Sequence, residues 1–356
     1  MPLPPLTRRH LLTTTLMPQW LQAQPAAADP TARHAVPTQA SQPAQANQHS
    51  KPAWRVGPGE ALTRIADALR LAADGDTIEV LPGTYSGDVA VIHQRRLDIV
   101  GLGTQPVLDA AGQHAEGKAI WVVRDGDIRI HNIGFRGARV PDSNGAGIRF
   151  ERGRLQLQGC SFHDNQNGVL TGNDVHSVLE ISDCVFSQAP ETPATPPHLV
   201  YVGQIGLFIL RGCLLRQGKG GHLVKSRAQE ARLINNRLDD GLTGEASYEI
   251  DLPNGGVALV EGNTVLQSPH TRNPVMLSYG AEGAHWAVNR LTLRDNTFIN
   301  RRTSGGWFVR VWDSRLPANS VVHSSHNRWL GPGSLALGPH GLSSDDRRGP
   351  APQGGD

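Results

Sequence analysis

From Ile128 to Trp329 one eight-residue phrase recurs. Its first and third positions are apolar, its sixth is small or turn-tolerant, and its eighth is bulky and apolar. The sixth position is filled by Ile133, Cys160, Cys184, Cys213, Asn236, Asn263, Asn296 and Asn327. The eighth is filled by Phe135, Phe162, Phe186, Leu215, Leu238, Val265, Phe298 and Trp329. The last copy is looser, with Ser324 at its third position. Successive copies are 27, 24, 29, 23, 27, 33 and 31 residues apart, so the phrase is constant while the intervening lengths wander. That is the signature of a solenoid whose coils share a fixed core and differ in their loops. Apolar residues two apart, as in Leu155 and Leu157 or Leu291 and Leu293, follow the period of a strand and argue against helical repeats.

The sixth position reads as a corner of the coil, because asparagine is the non-glycine residue that most readily enters a left-handed bend. Coils stacked at about 4.8 Å allow a column of asparagines to hydrogen-bond amide to amide along the axis. The run from Asn236 to Asn327 is expected to form such a ladder, buried and satisfied by neighbouring coils. The three cysteines continue the same column. Their simplest role is as small buried corner residues, although one disulfide between adjacent coils is open to an exported chain. Their spacing carries no zinc signature, and no metal ligands are assigned.

Ahead of the repeats, Ala61, Leu62, Ile65, Ala66, Ala68, Leu69 and Leu71 make a helical stripe ended by Gly75. This predicts a helix over about Glu60 to Ala72, serving to cover the first coil, which would otherwise expose its core and edges. The strand Thr77-Ile78-Glu79-Val80 follows, and then Leu81-Pro82-Gly83-Thr84-Tyr85 and Leu97-Asp98-Ile99-Val100-Gly101. This opening, with the repeats behind it, resembles right-handed parallel β-helix proteins of the pectin-lyase-like superfamily over about Trp54 to Leu337. The resemblance implies an all-β, right-handed parallel β-helix of about ten coils with a short N-terminal capping helix. It does not select an activity, because that superfamily includes lyases, hydrolases, epimerases and non-catalytic proteins.

Composition adds boundaries and exclusions. The 356 residues carry a formal net charge of +2, so no basic excess points to nucleic acid. The 40 glycines and 25 prolines suit a chain that must bend every few residues. Arg8 and Arg9, the weakly apolar run Leu11 to Leu21 and the small residues Ala26-Ala27-Ala28 resemble a twin-arginine export signal over residues 1–28. That signal would send the protein to the periplasm or outside the cell. No stretch approaches the roughly 20 apolar residues of a membrane span. Residues 29–53 read as a disordered linker, 54–337 as the β-helix domain and 338–356 as a disordered tail.

The unusual chemistry lies on the third strand of each coil. His198-Leu199-Val200-Tyr201-Val202, His222-Leu223-Val224-Lys225-Ser226-Arg227 and Tyr248-Glu249-Ile250-Asp251-Leu252 follow one another there, and Trp307-Phe308-Val309-Arg310-Val311-Trp312 lies further on. If Val224 and Ser226 face the core, Lys225 and Arg227 face out, with Tyr201 one coil below and Glu249 and Asp251 one coil above. Arg310 and Trp312 extend the same face. In the superfamily that this chain resembles, a carbohydrate groove lies on the corresponding sheet. β-Elimination in a uronate polymer needs a cation to neutralise the carboxylate, a base for the C5 proton and an acid for the leaving oxygen. Lys225, Arg227 and Tyr201 are the catalytic candidates, with His222 as an alternative base. Asp251, Glu249, His198, Arg310 and Trp312 are the substrate-binding candidates.

Alginate-lyase and chondroitinase-B type β-helix enzymes are similar in using a Lys and an Arg. Calcium enters only through that resemblance, and no cofactor is read from the residues themselves. The expected protein is an exported monomer acting on an anionic polysaccharide by β-elimination or C5 proton abstraction. Two other readings stand beside it. One is a non-catalytic β-helix that binds carbohydrate or serves as an envelope scaffold, its charges merely solvated or paired across strands. The other is a glycoside hydrolase using Glu249 and Asp251, carboxylates on one strand face at about 6.8 Å.

Overall fold

The computed structural model describes residues 53–192, 194–339 and 341–352. The expected export signal and nearly all of the expected linker lie outside the described residues. Each coil contributes one strand to each of three parallel sheets. The first sheet has 12 strands, from Ala53–Val56 to Gly341–Ser344. The second has 11, from Thr84–Ser86 to Arg347–Gly349, and the third has 10, from Ala90–Ile92 to Ser334–Ala336. Strands pair only with the equivalent strands of adjacent coils, all in parallel, giving a right-handed β-helix of about ten coils. The apolar first, third and eighth positions point inward. Leu155, Leu157 and Phe162 of one coil lie against Leu179, Ile181 and Phe186 of the next, all buried. Phe135, Phe162 and Phe186 stack with centroids 5.1 and 4.6 Å apart, and Phe298 stacks on Trp329 at 4.8 Å.

The corner differs from the expectation in one respect. The residue in the left-handed region is the fifth of the phrase, not the sixth. Asn132, Gly159, Asp183, Gly212, Asn235, Gly262, Asp295 and His326 all have φ between 53° and 66°. Through most of this column Asn or Asp alternates with Gly for a steric reason. A Cβ on Gly262 would lie 2.1 Å from Asn235 Oδ1, and one on Gly212 would lie 2.6 Å from Asp183 Oδ1. One coil's side chain fills the space that the next coil must leave empty.

The sixth residue, relieved of the bend, faces inward and forms the ladder. Asn263 Nδ2 donates to Asn296 Oδ1 at 3.0 Å and to Leu233 O at 2.8 Å. Asn263 Oδ1 accepts from both the backbone N and the Nδ2 of Asn236, each at 2.9 Å. The pattern repeats from Asn296 to Asn327. Towards the N-terminus, Cys213 N donates to Asn236 Oδ1 at 2.9 Å, Cys184 N to Cys213 Sγ at 3.4 Å and Cys160 N to Cys184 Sγ at 3.3 Å. The three cysteines are buried free thiols.

Both ends depart from the sequence reading. The capping helix runs only over Ile65–Leu71, because the Asp88 carboxylate accepts the N–H groups of Ile65 and Ala66 at 2.6 and 3.0 Å and so fixes its first turn. Ala72 is already extended, so the helix ends with the stripe at Leu71, while Ala61 and Leu62 at the start of the stripe lie outside it. At the other end coiling continues past Leu337. Gly341–Ser344 pairs with Val321–Ser325, and Arg347–Gly349 pairs with Arg328–Leu330. This coil keeps the geometry of the phrase with polar residues in it. Asp345 takes the left-handed bend at φ 55°, and Asp346 accepts from Asn327 N and Nδ2 at 2.8 and 3.1 Å. A carboxylate has only acceptors, so it ends a ladder whose donors all point its way.

Candidate functional site

Strand register fixes one outward column on the third sheet: Arg149, Leu170, Tyr201, Lys225, Asp251, Ser278 and Arg310, one residue per coil. Tyr201, Lys225 and Asp251 are therefore neighbours on three consecutive coils. Arg227, just past the end of its strand, reaches back to the same place, its Nε donating to Tyr201 Oη at 3.3 Å. Lys225 Nζ lies 5.6 Å from the centre of the Tyr201 ring and 3.7 Å from Asp251 Oδ2.

A residue that the repeats did not point to completes this cluster. Glu282, in the connection between Val275–Tyr279 and the next coil, accepts Arg227 Nη2 and Lys225 Nζ on Oε1 at 2.9 and 3.3 Å, and Arg227 Nη1 on Oε2 at 2.5 Å. Both cations thus converge on one carboxylate, with the fork-to-fork geometry that arginine favours. The Arg227 guanidinium, ahead of Lys225, holds the Glu282 carboxyl below its usual range. Asn254 Oδ1 takes a further bond from Arg227 Nη1 at 2.5 Å, and Trp286 Nε1 donates to Arg227 O at 3.1 Å. Nothing periodic marks Glu282, since it lies 55 residues from Arg227 in a connection of its own.

The histidines take other work. His222 N donates to His198 Nδ1 at 3.0 Å, and Tyr248 N donates to His222 Nδ1 at 3.4 Å. An Nδ1 that accepts a backbone N–H puts the ring proton of a neutral imidazole on Nε2. His222 Nε2 then faces Asp251 Oδ2 at 3.4 Å as a donor. Burial, reinforced by His198 and Lys225, pushes His222 well below the ordinary imidazole range. Burial pushes His198 down to about 3. Both nitrogens of His222 thus have protein partners, Nδ1 in Tyr248 N and Nε2 in Asp251 Oδ2. His198 is enclosed between Tyr201 and His222, with ring centres at 5.0 and 4.8 Å.

Asp251 has a side chain only 4% exposed, and burial, opposed chiefly by Lys225, pushes its carboxyl up to about 6. Glu249 is fully buried beneath the connection after Thr264–Gln267, accepting Gln267 Nε2 at 3.3 Å. Burial raises its carboxyl far above the usual range. It therefore lies inside the fold, away from the outward column that carries Lys225 and Asp251. Arg310 lies on the column three coils beyond Lys225, its guanidinium carbon 3.8 Å from the centre of the Trp312 ring, while Trp312 Nε1 donates to Ser278 Oγ at 3.2 Å. These two share the face of the cluster without joining it. Among the described residues no three His, Cys, Asp or Glu side chains gather as a metal site. No described helix is long and apolar enough to cross a membrane.

No protein-family model matches the sequence, and no curated protein matches it. Solved structures do. Pectate lyase Pel9A superposes with a TM-score of 0.51 at 11% identity, covering 83% of this chain and 80% of that one. The pectin methylesterase of Aspergillus niger gives 0.49 at 15% identity over 75% and 96% of the two chains. The mannuronan C-5 epimerase A-module of Azotobacter vinelandii gives 0.44 at 11% over 81% and 94%. The chain therefore has a right-handed parallel β-helix fold, shared with pectate lyase Pel9A.

Proposed function

We propose that this protein is an exported enzyme that binds an anionic, uronate-containing polysaccharide on the outer face of the third sheet and abstracts the C5 proton of one sugar. The observation that carries this reading is the convergence of Arg227 and Lys225 on a single carboxylate. A group that holds the Glu282 carboxylate by three donors is shaped for the carboxylate of a uronate. Neutralising that carboxylate is what makes the neighbouring C5–H acidic enough to leave. Lys225, lying between two carboxylates, is assigned with Arg227 to charge neutralisation.

Tyr201 Oη, oriented by Arg227 Nε, is the proton-carrying atom at the edge of the cradle. In its deprotonated form it takes the C5 proton. The C5–H electron pair becomes the C4–C5 double bond, the C4–O4 bond breaks, and the leaving oxygen receives the proton back from Tyr201. Return of a proton to the opposite face of C5 would instead give epimerisation through the same first step. Asp251 and His222 position Lys225 from behind, and Arg310 with Trp312 offers a cation on an aromatic platform to a sugar further along the chain. The name of one neighbour in fold, pectate lyase, fits this class of substrate.

A screen of uronate polymers for the absorbance of the unsaturated product tests the reading, with Lys225→Ala and Arg227→Ala as controls. Turnover falls by at least about 100-fold in each variant, the usual scale for a positioned catalytic group. Unchanged turnover in folded variants rejects the assignment of these residues, and no turnover of any uronate polymer by the wild type leaves a binding or scaffold protein.

A further inference from the structure

We propose that Glu282 is a built-in competitor for the carboxylate cradle, so that a uronate binds only by displacing the Glu282 side chain. This rests on the cradle being the substrate site and adds how that site selects its ligand. Each nitrogen of the cradle already bonds Glu282: Arg227 Nη1 donates to Oε2, and Arg227 Nη2 and Lys225 Nζ donate to Oε1. A second carboxylate cannot take the same place while these bonds stand, because it would meet the first one's charge at contact distance.

The parts are arranged for exchange of the side chain rather than movement of the whole connection. The backbone around Glu282 is tied down. Glu282 N donates to Pro253 O at 2.8 Å, Gly283 N to Gly280 O at 3.0 Å and His285 N to Asn254 O at 2.9 Å. The two cations keep other partners when Glu282 leaves. Arg227 stays bonded to Tyr201 and Asn254, and Lys225 stays beside Asp251. Their side chains are 18% and 14% exposed, whereas that of Glu282 is 44% exposed, so the carboxylate is the member of the cluster with solvent to turn into. Once released, it exchanges its bonds in the cradle for water at little cost.

Selectivity follows from the exchange. A free uronate replaces one carboxylate by another and restores all three bonds. A methyl-esterified or neutral sugar offers no charge to replace the one displaced, and leaves Glu282 in place. The site is therefore closed by default to neutral polysaccharide, and it opens in proportion to the ligand's own carboxylate.

The test is calorimetric titration of the wild type, Glu282→Gln and Glu282→Gln/Arg227→Ala with de-esterified oligogalacturonate, its methyl ester and oligomannuronate at low salt. Thermal melts establish that each variant is folded, and Glu282→Ala repeats the test without an amide that could refill the cradle. If Glu282 occupies the cradle nine-tenths of the time, its removal tightens free-uronate binding about tenfold, since apparent affinity scales with the competent fraction. Methyl-ester binding stays unchanged. Equal uronate affinity in the wild type and both Glu282 variants, with binding lost in the double variant, overturns the competitor while the cradle stands. Uronate binding that survives in the double variant, or no uronate binding to any of the proteins, overturns both.

Discussion

Replacing Asn263 by leucine removes a rung from the middle of the ladder, and the structure says what is left behind. The wild-type side chain accepts Asn236 N and Nδ2 and donates to Leu233 O, Glu261 O and Asn296 Oδ1. Three of these partners keep another bond: Asn236 Nδ2 still reaches Leu210 O, Asn296 Oδ1 still accepts Asn263 N, and Glu261 O still accepts Asn235 N. Asn236 N and Leu233 O lose their side-chain partner in the interior, at about 1–3 kcal/mol each. Burying a leucine returns about 1.5–3 kcal/mol. The net expectation is a loss of about 2 kcal/mol, read as a shift of the urea midpoint followed by far-UV circular dichroism. Asn263→Asp gives an internal control. It keeps the acceptor for Asn236 but sets an oxygen against Leu233 O and Asn296 Oδ1. That variant is therefore destabilised at neutral pH and recovers as the pH falls and the new carboxyl takes a proton. A change smaller than about 0.5 kcal/mol in Asn263→Leu, or no recovery of Asn263→Asp in acid, would refute the claim that the ladder's hydrogen bonds stabilise the coil.

The remaining predictions concern the ladder's end and the site's response to pH. Asp346→Ala, which strips the acceptor from Asn327, Ser324 and Ser343, costs about 1 kcal/mol or more in the same unfolding assay. Burial pushes the Asp346 carboxyl up, but its hydrogen bonds outweigh burial and hold it below the ordinary 3.8. Its contribution is therefore present above that value and is lost as pH falls through the lower folded one. Asp251 behaves in the opposite sense. Between the ordinary 3.8 and about 6 the folded protein keeps a proton that the unfolded chain has lost, so the group's contribution to stability falls as pH rises across that window. Its ionisation also adds a negative charge beside the cradle. Uronate affinity should therefore drop as pH rises through about 6, and Asp251→Asn should flatten that drop in a titration series.

How much was legible in the chain depended on whether a residue belonged to the repeat. The apolar phrase predicted three-sheet coils, the ladder and the column of Tyr201, Lys225 and Asp251, because strand alternation and register propagate from one coil to the next. The bend is hidden at the fifth position, where glycine and polar residues alternate without any apolar signal, while the asparagines of the sixth carry the conspicuous turn-forming side chain. The last coil escaped notice because Gly341, Ser343 and Arg348 stand where apolar residues stand elsewhere, although Asp345 and Asp346 keep its bend and its rung. The helix is shorter than its stripe because its start is fixed by Asp88, 23 residues from Ile65 and invisible to a local stripe. Glu249 obeys alternation and yet is inaccessible, since a variable connection folds over it and buries it with Gln267. Glu282 failed to appear for the same reason in reverse: a connection brought it in.

Proton NMR of uronate polymers incubated with the protein in heavy water tests the central claim most directly, because loss of the C5 proton reports both elimination and epimerisation. The C5 signal should disappear from at least one uronate polymer with the wild type and persist with Arg227→Ala. Retention of that signal on every uronate polymer with the wild type, or its equal loss with a folded Arg227→Ala protein, would contradict the account.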